Sequence, residues 1–161
     1  MRATAAGRDR GGMLISVTHR ADGTRPARIM IIDDHEISRA AFRALLRAEG
    51  ADVVADLGAS AHALAAASSL RPEVVLVDVT PAANTGFSIA DGLLALPAPP
   101  TVILTSSTDC SRFGARLNGH RFIAKADICA AAIARLARTP GTRGPESPNP
   151  DTPAKRLQPR G

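Results

Sequence analysis

The sequence contains very few aromatic residues. They make up 2% of its 161 residues, with four Phe and neither Trp nor Tyr. A folded core must therefore be built from Ala, Val, Leu and Ile, and few rings remain for stacking on nucleic-acid bases. No apolar run approaches the roughly 20 residues of a membrane span. The composition favours a globular protein with an aliphatic core and argues against a membrane protein.

Cysteine is also scarce. The two cysteines, Cys110 and Cys129, show neither a CxxC motif nor zinc-ligand spacing, so we expect free thiols in a reducing compartment. The short apolar stretch at 13–17 follows several arginines, but it is too short for a signal peptide and lacks a nearby A-x-A site. The expected location is the cytoplasm, and translation starting at Met13 remains an alternative.

Charge is unevenly distributed along the chain. The formal net charge is +5, yet residues 28–138 hold 11 basic and 11 acidic residues, so the excess lies in the two ends. We expect residues 1–27 to be a disordered basic leader and residues 139–161, with half of all prolines, to be a disordered tail. Nucleic-acid binding through these tails is an alternative that the lack of aromatics makes weak.

Between the tails, five short runs of apolar and β-branched residues predict five strands. The run ending at Asp78 is apolar without interruption, which is typical of a strand buried on both faces of a parallel sheet. The second run is more polar and is expected at a sheet edge. The five predicted strands are Arg28–Ile32, Ala51–Leu57, Val74–Asp78, Thr101–Leu104 and Arg121–Ala124.

Helical patterns separate and follow the strands. The segment between Asp34 and Gly50 has the clearest amphipathic period, and Gly114 weakens the fourth helix. Ser60 and Asp127 are predicted N-caps of the second and last helices. Strands alternating with helices predict one doubly wound five-stranded parallel sheet with five helices, an α/β fold. The remaining helices are predicted at Ala61–Leu70, Phe87–Leu94, Asp109–Asn118 and Ile128–Arg138.

Polar side chains stand where the predicted strands end. Because the carboxyl ends of parallel strands share one edge of the sheet, these side chains should converge although they are far apart in sequence. None of them is specific alone: an acid after a strand is often only a turn residue. The residues concerned are Asp33, Asp34, Asp78, Thr105 and Lys125.

Such a group of side chains suits phosphoryl transfer. Neighbouring carboxylates stay ionised if a cation lies among them, and oxygen ligands of this kind favour Mg²⁺. A lysine ammonium can pair with a phosphate oxygen, and a hydroxyl can donate to another. An Asp nucleophile with a metal, a lysine and a hydroxyl predicts an aspartyl-phosphate site.

The order of these motifs resembles the response-regulator receiver domain. The matching segments are IIDDH at 31–35, VLVDV at 75–79, VILTSS at 102–107 and FIAK at 122–125, and Gly86-Phe87 match the pair that opens the helix after the acceptor loop. The resemblance covers about residues 28–138 and implies a flavodoxin-like sheet of order 2-1-3-4-5. It suggests a stand-alone receiver without an effector domain.

The resemblance implies a role for each residue at the strand ends. Asp78 would accept a phosphoryl group from a phosphohistidine of a sensor kinase or a phosphotransfer protein. Lys125 would bind a phosphoryl oxygen, Thr105 would be the switch hydroxyl, and Phe122 would be the rotating aromatic, or else merely a core residue. Output would be binding to a downstream protein partner or passing the phosphoryl group on.

A Mg²⁺ site is implied by the same resemblance. Asp34 would be the direct ligand, Asp33 would act partly through water, and Asp78 and the backbone carbonyl of Thr80 would complete the protein ligands. The loop departs from the family pattern, because Pro81 comes one position early. Ala126 replaces the proline that often follows the family's lysine, which makes a cis peptide bond improbable there.

A small phosphatase resembling the haloacid dehalogenases is the alternative function. That class also places an Asp nucleophile after an apolar strand, but its second acid would fall at Thr80, and a chain of this length has no room for a cap domain. The main prediction is therefore a signalling switch rather than an enzyme.

Overall fold

The computed structural model describes residues 25–59 and 62–139. Most of the predicted leader, the proposed cap Ser60 and the tail from residue 140 lie outside the described residues. Three residues assigned to the leader are described, and among them Arg25 pairs with Glu73 at 2.6 Å.

All five predicted strands form, and they make a single parallel sheet of order β2-β1-β3-β4-β5. The sheet order agrees with the one implied by the family resemblance. The second strand lies at an edge, as its polar sequence predicted. The third strand is central, and its four apolar residues are all at most 2% exposed. The strands are β1 (Arg28–Ile32), β2 (Asp52–Leu57), β3 (Val74–Asp78), β4 (Thr101–Ser106) and β5 (Arg121–Ala124).

Helical segments connect and follow the strands. Three α-helices lie before β4, and one closes the described part of the chain. The connection between β4 and β5 is the segment Cys110–Leu117, which has 3-10 geometry rather than the expected regular helix. The α-helices are α1 (Glu36–Ala48), α2 (His62–Leu70), α3 (Thr85–Leu94) and α4 (Ala130–Arg138).

Gly114 explains the irregular fourth segment. Its φ of 53° and ψ of −134° are not helical, and they divide the segment into two short pieces. A left-handed φ is unstrained for glycine but not for residues with a Cβ. The glycine that weakened the helical pattern therefore interrupts the helix.

The start of the last helix differs from the prediction. Asp127 does not cap it, because this residue belongs to a short 3-10 turn, Lys125–Asp127. The N-cap of α4 is Cys129, whose Sγ accepts a hydrogen bond from the Ala132 amide at 3.4 Å. Glu49, which follows α1, also accepts one from the Ala130 amide at 2.5 Å.

Two aliphatic clusters cover the two faces of the sheet. Alternate residues of β1 point to opposite faces, so Ile31 joins one cluster and Met30 the other. The first cluster packs against α1 and α4, and the second against α2, α3 and the 3-10 segment. Within the described ranges, every helix is too short or too polar to cross a membrane.

Candidate functional site

Asp33 is a buried acid at the end of β1. Its side chain is 1% exposed, and both of its carboxylate oxygens have partners. Oδ1 accepts from the His35 amide at 2.8 Å, and Oδ2 contacts Lys125 Nζ at 2.7 Å. The Asp33 carbonyl accepts from the Arg39 guanidinium at 2.6 Å. These contacts fix both the backbone and the side chain of Asp33 at the sheet edge.

Asp78 lies at the end of the neighbouring strand β3. Lys125 Nζ is 2.9 Å from Asp78 Oδ1, so a single ammonium joins Asp78 to Asp33. The three side chains come from β1, β3 and the turn after β5. The parallel sheet thus brings together residues separated by up to 92 positions, as the sequence predicted.

Burial and hydrogen bonding shift the pKa values of both Asp78 and Lys125. Burial raises the pKa of Asp78 and outweighs the opposing effect of the Lys125 ammonium, while Asp33 and Asp34 raise it further. Burial by itself would lower the pKa of Lys125, but its hydrogen bonds to Asp33 and Asp78 raise it overall. Lys125 therefore stays charged, and Asp78 is a more basic carboxylate than an exposed aspartate.

Thr105 is the register partner of Asp78 in the adjacent strand β4. The structure extends β4 to Ser106, so Thr105 is the last but one residue of the strand rather than the first residue after it. It is 3% exposed, and its Oγ1 is buried without a hydrogen-bond partner among the described residues. An unsatisfied buried hydroxyl is unfavourable, so this group is free to donate to a hydrogen-bond acceptor brought within reach.

Gly86 lies against the backbone of Asp78. A Cβ at this position would collide with the Asp78 carbonyl oxygen and would lie 2.9 Å from Val79 Cγ1. The glycine that matched the family pattern thus lets α3 begin directly beside the end of β3.

Asp34 and Thr80, both predicted metal ligands, make other contacts. Asp34 Oδ1 accepts from the Ala59 amide at 2.5 Å. The Thr80 carbonyl accepts a long hydrogen bond from the Ala83 amide, at 3.3 Å. Among residues 25–59 and 62–139, no three His, Cys, Asp or Glu side chains form a ready-made cation site. In this arrangement, the Lys125 ammonium is the counter-ion of the Asp33 and Asp78 carboxylates.

Phe122 is half-buried in β5 and belongs to a row of aromatic rings. Its ring centroid is 6.0 Å from that of Phe113, which is 6.1 Å from that of Phe87. The row ends at His120, whose ring meets Phe87 edge-on. Phe122 therefore contacts the 3-10 segment rather than the acidic cluster.

Two arginines near the site were not assigned a role from the sequence. Arg39 holds the Asp33 carbonyl and also contacts Asp56 at 3.4 Å. Arg116 reaches the loop after Asp78 and donates to the Pro81 carbonyl. The Arg39–Asp56 and Arg116–Pro81 contacts join residues 17 and 35 positions apart, and no local sequence pattern predicts them.

A family model described as the response regulator receiver domain matches residues 29–128, which is more than half of the chain. The chain belongs to this family. It is a receiver domain over the residues that carry Asp33, Asp78, Thr105 and Lys125.

Curated relatives of this receiver domain include larger bacterial regulators. The DNA-binding transcriptional activator DevR/DosR of Mycobacterium tuberculosis is 32% identical over 117 residues, covering 71% of this chain and 54% of that protein. A protein-glutamate methylesterase/protein-glutamine glutaminase from Anaeromyxobacter dehalogenans is 35% identical over 97 residues, covering 59% and 28%. The chain thus spans about half or less of the length of these relatives.

Solved receiver domains share the architecture. The signal receiver domain of a modulated diguanylate cyclase from Desulfovibrio desulfuricans is 26% identical with a TM-score of 0.54, and the match covers 69% of this chain and 90% of that one. A CheY-like receiver domain from Methylobacillus flagellatus is 22% identical with a TM-score of 0.56, covering 69% and 95%. The second likeness concerns the fold alone.

The donor atoms of the receiver site fit a hard divalent cation. The candidates are carboxylate oxygens and one backbone carbonyl, with neither sulfur nor imidazole nearby in the cluster, which is the ligand chemistry of Mg²⁺. The hydrogen-bonded Thr80 carbonyl keeps a second lone pair for such an ion. The donor atoms of Asp33, Asp34, Asp78 and Thr80 thus match the ligand chemistry of Mg²⁺, but the described side chains would have to rearrange to hold it.

Proposed function

We propose that this receiver domain is a phosphorylation-dependent signalling switch whose acceptor is Asp78. The observation that carries this proposal is the contact of Asp78 with the Lys125 ammonium, 2.9 Å away, in a strand whose register partner Thr105 has a buried, unsatisfied hydroxyl. An aspartate that merely ends a strand in a turn would need neither the lysine ammonium nor the buried threonine hydroxyl. The raised pKa of Asp78 also favours nucleophilic attack by its ionised form.

The transfer step uses the carboxylate as nucleophile. An Asp78 oxygen attacks phosphorus, a P–O bond forms, and the P–N bond of the donor phosphohistidine breaks with its electron pair remaining on nitrogen. The Lys125 ammonium lies beside the oxygen that attacks, so it can pair with the negative charge of the transferred group. Asp33 holds that ammonium in position through its 2.7 Å contact.

Mg²⁺ is the proposed cofactor. Bound by Asp33, Asp34, Asp78 and the Thr80 carbonyl, it would supply charge neutralisation for the phosphoryl oxygens. Within the chain itself, Asp34 would exchange its bond to the Ala59 amide for this role. The buried Asp33 carboxylate contributes negative charge from the floor of the site.

The switch itself begins at Thr105. A phosphoryl group on Asp78 would offer new acceptor oxygens to the unsatisfied hydroxyl of its register partner Thr105, which favours an inward movement of that side chain. Phe122 lies one strand away and is half-buried, so its ring can repack when β4 changes. The resulting change in the surface around β5 would be the output, read by a protein partner or followed by onward phosphotransfer.

The proposed phosphoryl donor is a sensor histidine kinase or a phosphotransfer protein, and the proposed setting is the cytoplasm. Free cysteines suit that compartment, and both cysteines are free within the described residues. Nucleic acid and membranes are not proposed as partners of this domain. The family match gives no support to the haloacid-dehalogenase-like phosphatase, whose acids would have come from one strand.

The test is phosphorylation by acetyl phosphate with Mg²⁺, followed by intact-protein mass spectrometry. Wild type should gain one phosphoryl group and then stop. Asp78→Asn should gain none, whereas the matched control Asp91→Asn, which changes an exposed acid of α3, should behave like wild type. Continuous hydrolysis of free phosphomonoesters would instead support the phosphatase.

A further inference from the structure

The Arg116 side chain connects the 3-10 segment to the loop that follows Asp78. Its Nη1 donates to the Pro81 carbonyl at 2.9 Å, and its Nη2 donates to the Ala83 carbonyl at 3.0 Å and to Asn84 Oδ1 at 2.7 Å. These three acceptors lie within the six residues after the acceptor aspartate. The loop, residues 81–84, is thus bonded to a segment more than 30 positions later in the chain.

The guanidinium is also fixed by an aromatic ring. Its central carbon lies 4.2 Å from the centroid of Phe87, at the start of α3. Phe87 packs against Phe113, and Phe113 packs against the proposed switch residue Phe122. Arg116 therefore lies where the acceptor loop meets the row of aromatic rings.

Arg116 makes these contacts without an ion pair. In the described ranges, no carboxylate comes within 4.0 Å of its guanidinium, and all of its acceptors are neutral. A planar guanidinium can hold several acceptors in a fixed arrangement, which a lysine ammonium cannot reproduce. The contacts thus serve the geometry of the loop rather than charge neutralisation.

The segment that carries Arg116 changes backbone direction at Gly114. Gly114, two residues before Arg116, has a left-handed φ of 53° and divides the segment. The piece after Gly114 is short, and it carries Arg116. The guanidinium contacts hold this piece to the loop, whereas Gly114 separates it from the piece that holds Phe113.

We propose that Arg116 is a positioning residue that links the acceptor loop to the 3-10 segment. The proposal rests on the proposed function, because the signal it carries starts at Asp78. A rearrangement of the loop on phosphorylation pulls the segment through the guanidinium. Since coupling between two sites is reciprocal, a partner that holds the segment also changes phosphoryl acceptance by Asp78.

The link can be tested by NMR with Mg²⁺ and beryllium fluoride, which mimics a phosphoryl group on aspartate. In wild type, amides of loop residues 82–84 and of segment residues 115–117 should both shift on addition. In Arg116→Ala, the loop shift should remain while the segment shift falls by at least about half. Arg112→Ala, which removes an exposed arginine of the same segment, should match wild type.

Arg116→Lys provides a second variant if Arg116→Ala does not fold. It keeps the charge and the aliphatic stem but loses the planar arrangement, so its segment shift should also fall. A full segment shift in a folded Arg116 variant, or no segment shift in wild type, would overturn the link alone. Failure of wild type to bind beryllium fluoride or to be labelled by acetyl phosphate would instead reject the proposed function, and the link with it.

Discussion

Asp78 and Thr105 are register partners in adjacent parallel strands, and they differ in how well their polar atoms are satisfied. Asp78 has the Lys125 ammonium at 2.9 Å, whereas Thr105 Oγ1 is buried with no hydrogen-bond partner in the described part of the chain. A fold normally satisfies such a group. The protein therefore contains an unfavourable buried hydroxyl in the strand beside Asp78, which a phosphoryl group on the proposed acceptor Asp78 would relieve.

Replacing Thr105 with Val should stabilise the unphosphorylated protein. The two side chains have similar shapes, and the change removes a buried hydroxyl that lacks a partner, so the free energy of unfolding should rise by about 1 kcal/mol. Urea unfolding followed by circular dichroism measures this, because the chain has no Trp for fluorescence. Thr105→Ser keeps the hydroxyl and loses a buried methyl group, so it should be less stable than wild type. A destabilised Thr105→Val would show that the hydroxyl has a partner.

Removing Lys125 should be far more damaging than removing the charge of Asp78. Lys125→Met leaves the carboxylates of Asp33 and Asp78 without their counter-ion, and loss of one partner of a buried pair lowers unfolding free energy by roughly 3 kcal/mol. In Asp78→Asn, Lys125 keeps its 2.7 Å contact with Asp33. Since burial disfavours the ionised Asp78, this variant should be at least as stable as wild type near neutral pH. The reverse order in urea unfolding would refute the charge arrangement.

The raised pKa of Asp78 has a defined effect on stability. Between the usual value of 3.8 and the higher value in the fold, the native protein binds a proton that the unfolded chain has released. Stability contributed by Asp78 must therefore rise as pH falls through that interval and decline as pH rises.

The difference in unfolding free energy between wild type and Asp78→Asn isolates this effect. Measured with EDTA present, this difference should move in favour of wild type as pH falls from the raised pKa of Asp78 toward the usual value of 3.8. The pKa of Lys125 is raised above 10.5, so its stabilising contribution is complete below that value and is lost only at higher pH. Movement in favour of Asp78→Asn on acidification would contradict the burial of Asp78.

Gly86→Ala should disturb the acceptor strand. The added Cβ would collide with the Asp78 carbonyl oxygen, which is backbone, and with the buried Val79 side chain. Neither can move aside easily, so the free energy of unfolding should fall by about 1–3 kcal/mol. Gly92→Ala in the same helix is the control. Its Cβ would meet the flexible end of Leu64, and alanine favours a helix, so the net change should be small. Equal losses in the two variants would show that the contact with Asp78 has no special importance.

Much of the fold could be predicted from the sequence because the signals are local. Uninterrupted apolar runs such as Val74–Val77 indicate strands buried on both faces, and alternation with helices implies parallel pairing. Parallel pairing then brings Asp33, Asp78 and Lys125 to one edge. Their contacts at 2.7 and 2.9 Å follow from topology rather than from any single motif.

Some features of the fold and the site could not be predicted from the sequence. They depend on which of several residues forms a hydrogen bond, on contacts between residues distant in sequence, or on local backbone geometry. Asp127 is a good cap by residue type, but a 3-10 turn uses it and Cys129 caps α4 instead. The bend at Gly114 was visible only as a weakness in a helical pattern. Arg116 bonds to a loop more than 30 residues earlier, and neither periodicity nor motif spacing identifies such a contact.

The most direct test of the central claim is to identify the phosphorylated residue chemically. Borohydride reduces an acyl phosphate on aspartate to homoserine, which peptide mass spectrometry can locate after treatment of the protein with acetyl phosphate and Mg²⁺. We expect homoserine at position 78 and at no other aspartate. Homoserine at position 33 or 34 would contradict the assignment of Asp78 as the acceptor. So would the absence of homoserine from a folded protein that has been treated with acetyl phosphate and Mg²⁺.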